Sequence, residues 1–191
     1  MTIGIYGGSF NPIHLGHLSL GRWLVRHREV DELWFLVSPQ NPLKPAAGFL
    51  SDEARLLLAR KAVGRSRRLR VSDFEFHLPR PSYMVHTLEA LRAAYPGRDF
   101  VLVIGADNWH RFPQWYRSAD ILRHHRILIY PRPGFPIDVA ALPEGVRLVE
   151  TPLHDISSTQ IREAIHQVAA YDGWGLPPRV WAEIQARGYY R

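Results

Sequence analysis

The spacing of apolar residues along the chain predicts strands that alternate with helices. Mostly apolar runs of four or five residues have the length and composition of strands covered on both faces. These runs cover residues 3–6, 33–37, 100–104, 126–130 and 146–149, and residues 70–74 are predicted as a further strand. Between and after them, apolar residues recur at helical spacing, and the predicted helices cover about 15–28, 51–62, 85–95, 158–169 and 178–187.

This alternation determines the predicted fold class. Strands that alternate with helices form βαβ units, which implies an α/β fold with a doubly wound parallel sheet and helices on both faces. Right-handed crossovers then place the loops after the strands along one edge, where ligands bind. The polar segments 7–17, 39–44 and 105–115 belong to that edge.

Length and composition limit the class of protein. With 191 residues and 46% apolar residues, the chain has the size and composition of one globular domain spanning 1–191. There is no cysteine, which excludes disulfides, thiolate zinc sites and cysteine nucleophiles. The N-terminus lacks the features of a signal peptide, and no apolar run approaches the ~18 residues of a membrane span. We therefore expect a cytoplasmic protein that does not bind membranes.

The chain is strongly basic, with a formal net charge of +6 and 22 arginines against two lysines, Lys44 and Lys61. Such a charge suits a protein that binds nucleic acid, or an enzyme that acts on small polyanions. It is equally compatible with an arginine-rich surface that only contacts solvent. Composition alone does not distinguish these three interpretations.

The loop after the first predicted strand is the strongest candidate for chemistry. Residues 7–17 read Gly-Gly-Ser-Phe-Asn-Pro-Ile-His-Leu-Gly-His. Adjacent glycines let the backbone approach a ligand, and the helix start that follows suits a phosphate. His14 and His17 could simply cap this helix, but their place at the ligand edge favours hydrogen bonds to phosphate oxygens. Zinc ligation is disfavoured because no third ligand is adjacent.

A second helix start has similar properties. Ser157 and Gln160 have the spacing of a capping box, which accounts for both residues. Arg162 needs another explanation, because a cation near a helix N-terminus opposes the helix dipole. A bound anion would reverse that effect, so Ser158, Thr159 and Arg162 are candidates for phosphate contacts.

Two further segments at the ligand edge allow alternative interpretations. Asp107 follows a buried strand and could be a helix N-cap, or could contact a ribose or a magnesium-linked group. Trp115 and Tyr116 lie in a proline-bearing loop, where they could belong to the core or stack on a planar ring.

Taken together, these segments resemble the motifs of bacterial nicotinate mononucleotide adenylyltransferases, nucleotidyltransferases with a Rossmann-like fold and an H-x-G-H motif. The segment at 7–17 is similar to G-G-[ST]-F-[DN]-P-x-H-x-G-H, and 81–88 to P-S-Y-T-x-x-T-L. Residues 104–107 with Trp115 and Tyr116 resemble I-x-G-x-D…W-Y, and 156–162 resembles I-S-[SA]-T-x-I-R. The final residues, 188–191, also resemble the family.

The resemblance implies transfer of AMP from ATP to nicotinate mononucleotide, which yields deamido-NAD and pyrophosphate. It implies that His14, His17 and Arg162 are catalytic and that the C-terminal helices, about 157–191, complete the phosphate site. The implied ATP-binding residues are Gly7, Gly8, Ser9, Phe10, His14, His17, Gly105, Asp107, Ile156, Ser158, Thr159 and Arg162. The implied mononucleotide-binding residues are Asn11, Lys44, Tyr83, Thr87, Trp115 and Tyr116, with Trp115 stacked on the nicotinate ring.

Because the nucleophile would be an ionised substrate phosphate, the expected catalysis consists of positioning and charge neutralisation. Mg²⁺ is expected to bridge the ATP phosphates, with no cage of protein ligands. The chain has His86 where the family usually has an acid or amide, and Leu43-Lys44 where it often has His-Lys or His-Arg. Alternatives are adenylyl transfer to nicotinamide mononucleotide or phosphopantetheine, or a nucleic-acid-binding protein on the same scaffold.

Overall fold

The strands and helices follow the alternation that the apolar pattern predicts. The structure is a computed structural model that describes residues 1–39, 49–152, 155–167 and 171–191. Its strands are β1 (Thr2–Gly8), β2 (Glu32–Val37), β3 (Leu69–Ser72), β4 (Asp99–Gly105), β5 (Ile127–Tyr130) and β6 (Val146–Leu148). Its α-helices are α1 (Leu15–Arg26), α2 (Asp52–Val63), α3 (Met84–Ala94), α4 (Ala106–Arg111), α5 (Ser118–His124), α6 (Ser158–Gln167) and α7 (Pro178–Arg187). Short 3₁₀ segments cover Phe74–His77, Phe112–Gln114 and Val139–Ala141.

The order of the strands confirms the predicted doubly wound sheet. In the described residues one sheet has the order β3-β2-β1-β4-β5-β6, and every neighbouring pair is parallel. The strands β2 and β3 are added on one side of β1, and β4, β5 and β6 are added on the other side, so the order of the strands reverses between β1 and β4. In sheets of this kind a crevice opens outside the carboxyl ends of the strands at that point, and ligands bind there.

Both faces of the sheet are covered, as the apolar runs predict. Along β4 the side chains alternate between two cores: Val101 and Val103 face one, while Leu102 and Ile104 face the other. The first core takes apolar side chains from α1, α2, α6 and α7, and the second takes them from α3 and α5. No helix in the described residues is long and apolar enough to cross a membrane.

The side chains at two helix starts agree with the sequence. The Ser51 hydroxyl accepts a hydrogen bond from the Ala54 N–H at the start of α2 (3.2 Å). At α6 the predicted capping box is confirmed: Ser157 Oγ accepts from the Gln160 N–H, and Gln160 Oε1 accepts from the Ser157 N–H. The N-terminus of α6 is therefore fixed by two residues that lie three positions apart in the sequence.

The predicted boundaries differ from the structure at short elements. The strand predicted at 70–74 is wrong at its end, because β3 stops at Ser72, whose hydroxyl accepts from the Phe74 N–H as the 3₁₀ segment begins. The helices α4 and α5 are absent from the prediction. With six and seven residues they span about two turns each, too few for an apolar period to be recognised.

Candidate active site

The loop between β1 and α1 lies at the point where the order of the strands reverses, between β1 and β4. β1 pairs with both β2 and β4, so the loop after β1 lies beside the residues that follow β4. Two cavities border it: a larger one of about 620 Å³, and a narrow cleft of about 30 Å³ that contains both histidines of the loop. The predicted segments 7–17 and 105–115 therefore converge on one crevice.

The two histidines at the start of α1 are stacked on one another. Their ring centroids are 3.6 Å apart, and the backbone N–H of His14 donates to Nδ1 of His17 (3.1 Å). A neutral His17 ring whose Nδ1 accepts carries its proton on Nε2. Phe10 packs edge-on against the ring, with centroids 5.1 Å apart, and fixes its orientation.

The charge state of His17 follows from its surroundings. Burial lowers the pKa of His17 well below its ordinary value, and the charges of His14 and Arg132 act in the same direction. The ring is therefore neutral at physiological pH, and its Nε2–H can donate a hydrogen bond. A neutral donor at a helix N-terminus suits a phosphate oxygen and does not oppose the helix dipole.

The start of α6 is joined to the same loop. The Ser158 hydroxyl donates to the Pro12 carbonyl (2.9 Å), and Nη1 of Arg162 donates to the Asn11 carbonyl (2.8 Å). Nη2 of Arg162 also donates to the Thr159 hydroxyl (3.3 Å). The contacts to Pro12 and Asn11 span about 150 residues of sequence and bring together the two helix starts singled out for phosphate.

Asn11 connects the loop to the end of the chain. Its side chain is 1% exposed, and its Oδ1 accepts from the Tyr190 hydroxyl (2.7 Å) and the Leu50 N–H (3.2 Å). Tyr190 lies two residues after Gly188, the C-cap residue that ends α7 in a left-handed conformation. The predicted mononucleotide ligand Asn11 thus makes contacts that hold the loop in place.

The residues at the end of β4 lie between the two cavities: Gly105 lines the larger one, and Asp107 contacts Arg132, which lines the narrow cleft. A Cβ atom at Gly105 would lie 2.4 Å from Asp107 Oδ1 and 3.0 Å from the Tyr130 ring, so a larger residue at that position would require both side chains to shift. Asp107 is the second residue of α4, whose N-cap is Gly105, so the N-cap interpretation of Asp107 is wrong. Its Oδ1 lies 3.5 Å from Nε of Arg132. Arg132 lines the cleft beside His17, and the sequence interpretation missed it.

The larger cavity has an aromatic wall. Trp115 packs against Phe112 (centroids 5.4 Å apart) and lines the cavity, and the Tyr83 and Tyr116 rings lie 4.6 Å apart at its edge. Seven of the predicted site residues line this cavity: Gly7, Gly8, Ser9, Tyr83, Gly105, Trp115 and Tyr116. The shape and composition of the wall suit a planar ring.

A buried carboxyl group, Glu75, faces the same cavity. It is 2% exposed, and its Oε1 accepts from the Thr87 hydroxyl (2.8 Å). Burial raises the pKa of Glu75, and hydrogen bonds from the Thr87 and Ser38 hydroxyls oppose the shift. Thr87 itself is fully buried, so its side chain acts through Glu75 and the start of α3. The sequence interpretation missed Glu75, because an acid between Phe74 and Phe76 carries no signal in the sequence of whether its own side chain is buried.

The sequence interpretation also missed Arg55, because nothing in its sequence context indicates that this arginine is completely buried. Its guanidinium group donates to the carbonyls of Ser9 (2.5 Å), Ser38 (2.9 Å) and Leu50 (3.2 Å). It also forms an ion pair with Asp52 (2.5 Å). Arg55 thus joins the glycine loop, the end of β2 and the start of α2.

The predicted phosphate ligand Lys44 lies outside the described residues. Within the described residues, no group of three or more His, Cys, Asp or Glu side chains could hold a metal ion.

Comparison with known proteins agrees with this geometry. The family described as Cytidylyltransferase-like matches residues 5–164. The probable nicotinate-nucleotide adenylyltransferase of Bacteroides thetaiotaomicron is 54% identical over 185 residues, covering 97% of this chain and 91% of that protein. That of Cytophaga hutchinsonii is 42% identical over 167 residues, covering 87% of each. The structure of Plasmodium falciparum nicotinic acid mononucleotide adenylyltransferase complexed with NaAD has a TM-score of 0.84 at 19% identity, covering 99% of this chain and 97% of that one.

Proposed function

The chain belongs to the cytidylyltransferase-like family of nucleotidyltransferases, and we propose that it transfers AMP from ATP to nicotinate mononucleotide. The products are deamido-NAD and pyrophosphate. The observation that carries this proposal is the meeting of two phosphate-suited helix starts, those of α1 and α6, beside a cavity of about 620 Å³. The choice of the nicotinate substrate is supported by the names of relatives up to 54% identical over nearly the whole chain.

ATP is assigned to the crevice between these helix starts and the end of β4. His14 and His17 hold the phosphates, and the neutral His17 donates Nε2–H to the transferring α-phosphoryl group. Ser158, Thr159 and Arg162 bind the triphosphate from the α6 side. Backbone N–H groups of the glycine loop, with Gly105, Asp107 and Ile156, contact the remainder of the nucleotide.

The mononucleotide is assigned to the larger cavity. Trp115 stacks on the nicotinate ring, with Tyr83 and Tyr116 at the edge of the cavity. The carboxylate of the nicotinate ring accepts hydrogen bonds from backbone N–H groups near Thr87 and Tyr116. Asn11 keeps the loop in place between the two substrates through its contact with Tyr190. Lys44 stays a predicted phosphate ligand.

The reaction needs no protein nucleophile. A phosphate oxygen of the mononucleotide attacks the α-phosphorus of ATP, the bond to the bridging oxygen of the β-phosphate breaks, and pyrophosphate leaves. The attacking oxygen is already ionised, so the side chains position the two anions and neutralise developing charge. Mg²⁺ would be supplied with ATP, held by its phosphates rather than by protein side chains, and would offset part of their negative charge. The net charge of +6 helps to attract both substrates.

We further propose that the protein acts in the cytoplasm on small molecules and does not bind nucleic acid. Anionic substrates give the excess positive charge a role that requires no nucleic acid, and some of the arginines, such as Arg60 with Asp73, are neutralised in exposed ion pairs. A nucleic-acid-binding protein would bind oligonucleotides with an affinity that falls steeply with salt. Detection of such binding would contradict this part of the proposal.

The decisive experiment measures pyrophosphate release with ATP and magnesium. Parallel reactions contain nicotinate mononucleotide, nicotinamide mononucleotide or phosphopantetheine. We expect rapid release with the nicotinate substrate only. No release with any of them overturns the proposed reaction, whereas preferential use of one of the other two changes the acceptor substrate.

A further inference from the structure

The larger cavity contains a cation that no assignment has yet used. Of the described residues that line it, only Glu75 and Arg80 carry ionisable acid or base side chains of the Asp, Glu, Lys, Arg or His type. Glu75 is an acid and provides no positive charge in either protonation state. A cavity that accepts a mononucleotide must nevertheless stabilise a phosphate, which carries nearly two negative charges.

Arg80 is held at the cavity by a shared carboxylate. Asp52 Oδ2 pairs with Nη2 of Arg80 (3.0 Å), and Oδ1 pairs with Nη2 of Arg55 (2.5 Å). The side chains of Arg55, Asp52 and Arg80 are 0%, 15% and 57% exposed. These three groups have a net charge of +1. Because Arg55 is buried and bound to three carbonyls, the accessible positive charge is that of Arg80.

The same contacts place Arg80 on the side of the cavity where the reaction would occur. Arg80 contacts Asp52, Asp52 contacts Arg55, and Arg55 donates to the carbonyl of Ser9 in the glycine loop. The attacking phosphate must lie next to this loop to reach the α-phosphorus of ATP. The ion pair with Asp52 uses one of the five guanidinium N–H donors of Arg80, and the described residues accept no hydrogen bond from the other four.

We propose that Arg80 binds the phosphate of the mononucleotide, with Asp52 and Arg55 fixing its position. This inference rests on the proposed function, because it presupposes a mononucleotide in the larger cavity. Arginine is suited to this role because its planar group can donate two parallel hydrogen bonds to phosphate oxygens. Arg80 is thus a binding residue that sets affinity for the phosphorylated acceptor.

The test compares two ligands that differ only in the phosphate. Dissociation constants for nicotinate mononucleotide and nicotinate riboside are measured by calorimetry for the wild type, Arg80→Ala and Arg80→Lys. Arg60→Ala is the matched control, because Arg60 is 56% exposed and pairs with Asp73 (3.2 Å) away from the cavity. Melting temperatures of all variants establish that they fold.

We expect Arg80→Ala to bind the mononucleotide about tenfold more weakly or worse, the scale of losing a hydrogen bond to a charged group. Binding of the riboside should change less than about twofold, Arg80→Lys should be intermediate, and Arg60→Ala should match the wild type. Equal weakening of both ligands, or weakening of neither, overturns the inference. If instead the wild type releases no pyrophosphate, it is the proposed function that fails.

Discussion

Replacing Arg55 by alanine removes a buried side chain that joins three segments around the glycine loop. The guanidinium group is fully buried and donates to the carbonyls of Ser9, Ser38 and Leu50, while it also pairs with Asp52. After truncation the three carbonyls lose this donor, and Asp52 loses its ion pair with Arg55. The expected effects are lower stability and a displaced loop.

The size of the effect can be worked out from these contacts. Removing one partner of a buried ion pair costs roughly 3–5 kcal/mol, because the groups left behind stay desolvated. Asp52 keeps its pair with Arg80, so the lower half of this range is expected. For domains of this size each kcal/mol lowers the melting temperature by roughly 2–4 °C, which gives a decrease of roughly 6–16 °C.

The assay is urea unfolding followed by circular dichroism, with pyrophosphate release measured on the same preparations. Arg60→Ala on the same helix is the control, because its exposed ion pair should contribute no more than about 1 kcal/mol. Arg55→Lys keeps the charge but cannot satisfy the same acceptors, so its stability should lie between the wild type and Arg55→Ala. A loss below about 1 kcal/mol for Arg55→Ala, with an unchanged urea slope, would refute the reasoning.

Three further predictions concern the site itself. His17→Ala should lower kcat about 10²-fold or more with little change in melting temperature, as expected for loss of a preorganised donor; a variant with full kcat would mean that His17 only caps the helix. Trp115→Ala should raise KM for nicotinate mononucleotide about tenfold and leave KM for ATP within about twofold, and an unchanged KM for the mononucleotide would remove Trp115 from the stacking role. The pKa of Glu75 is higher in the folded state than in the unfolded state. The protonated carboxyl group therefore contributes stability at pH values below the unfolded pKa, and this stability is lost as pH rises through the folded pKa. Melting curves from pH 4 to 8 should therefore show Glu75→Gln gaining stability relative to the wild type as pH rises, and a difference that is independent of pH would contradict this.

Sequence reasoning reached most of the fold because the relevant signals are local. The apolar run of β4 and the Ser157–Gln160 capping box each depend on residues that lie within a few positions of each other in the sequence. The glycine loop and the start of α6 were likewise recognisable as separate phosphate-suited segments. Short elements such as α4 escaped because six residues do not establish a period.

By itself the sequence determined the alternation of strands and helices, and therefore the doubly wound class and the edge that holds the loops. Only the tertiary structure decided which polar groups are buried together. Arg55 is one of 22 arginines in the sequence, and its partner Ser9 lies 46 residues away. Asn11 and Tyr190 are 179 residues apart. Burial and electrostatic pairing depend on groups that are distant in the chain and adjacent in space, which no periodicity encodes.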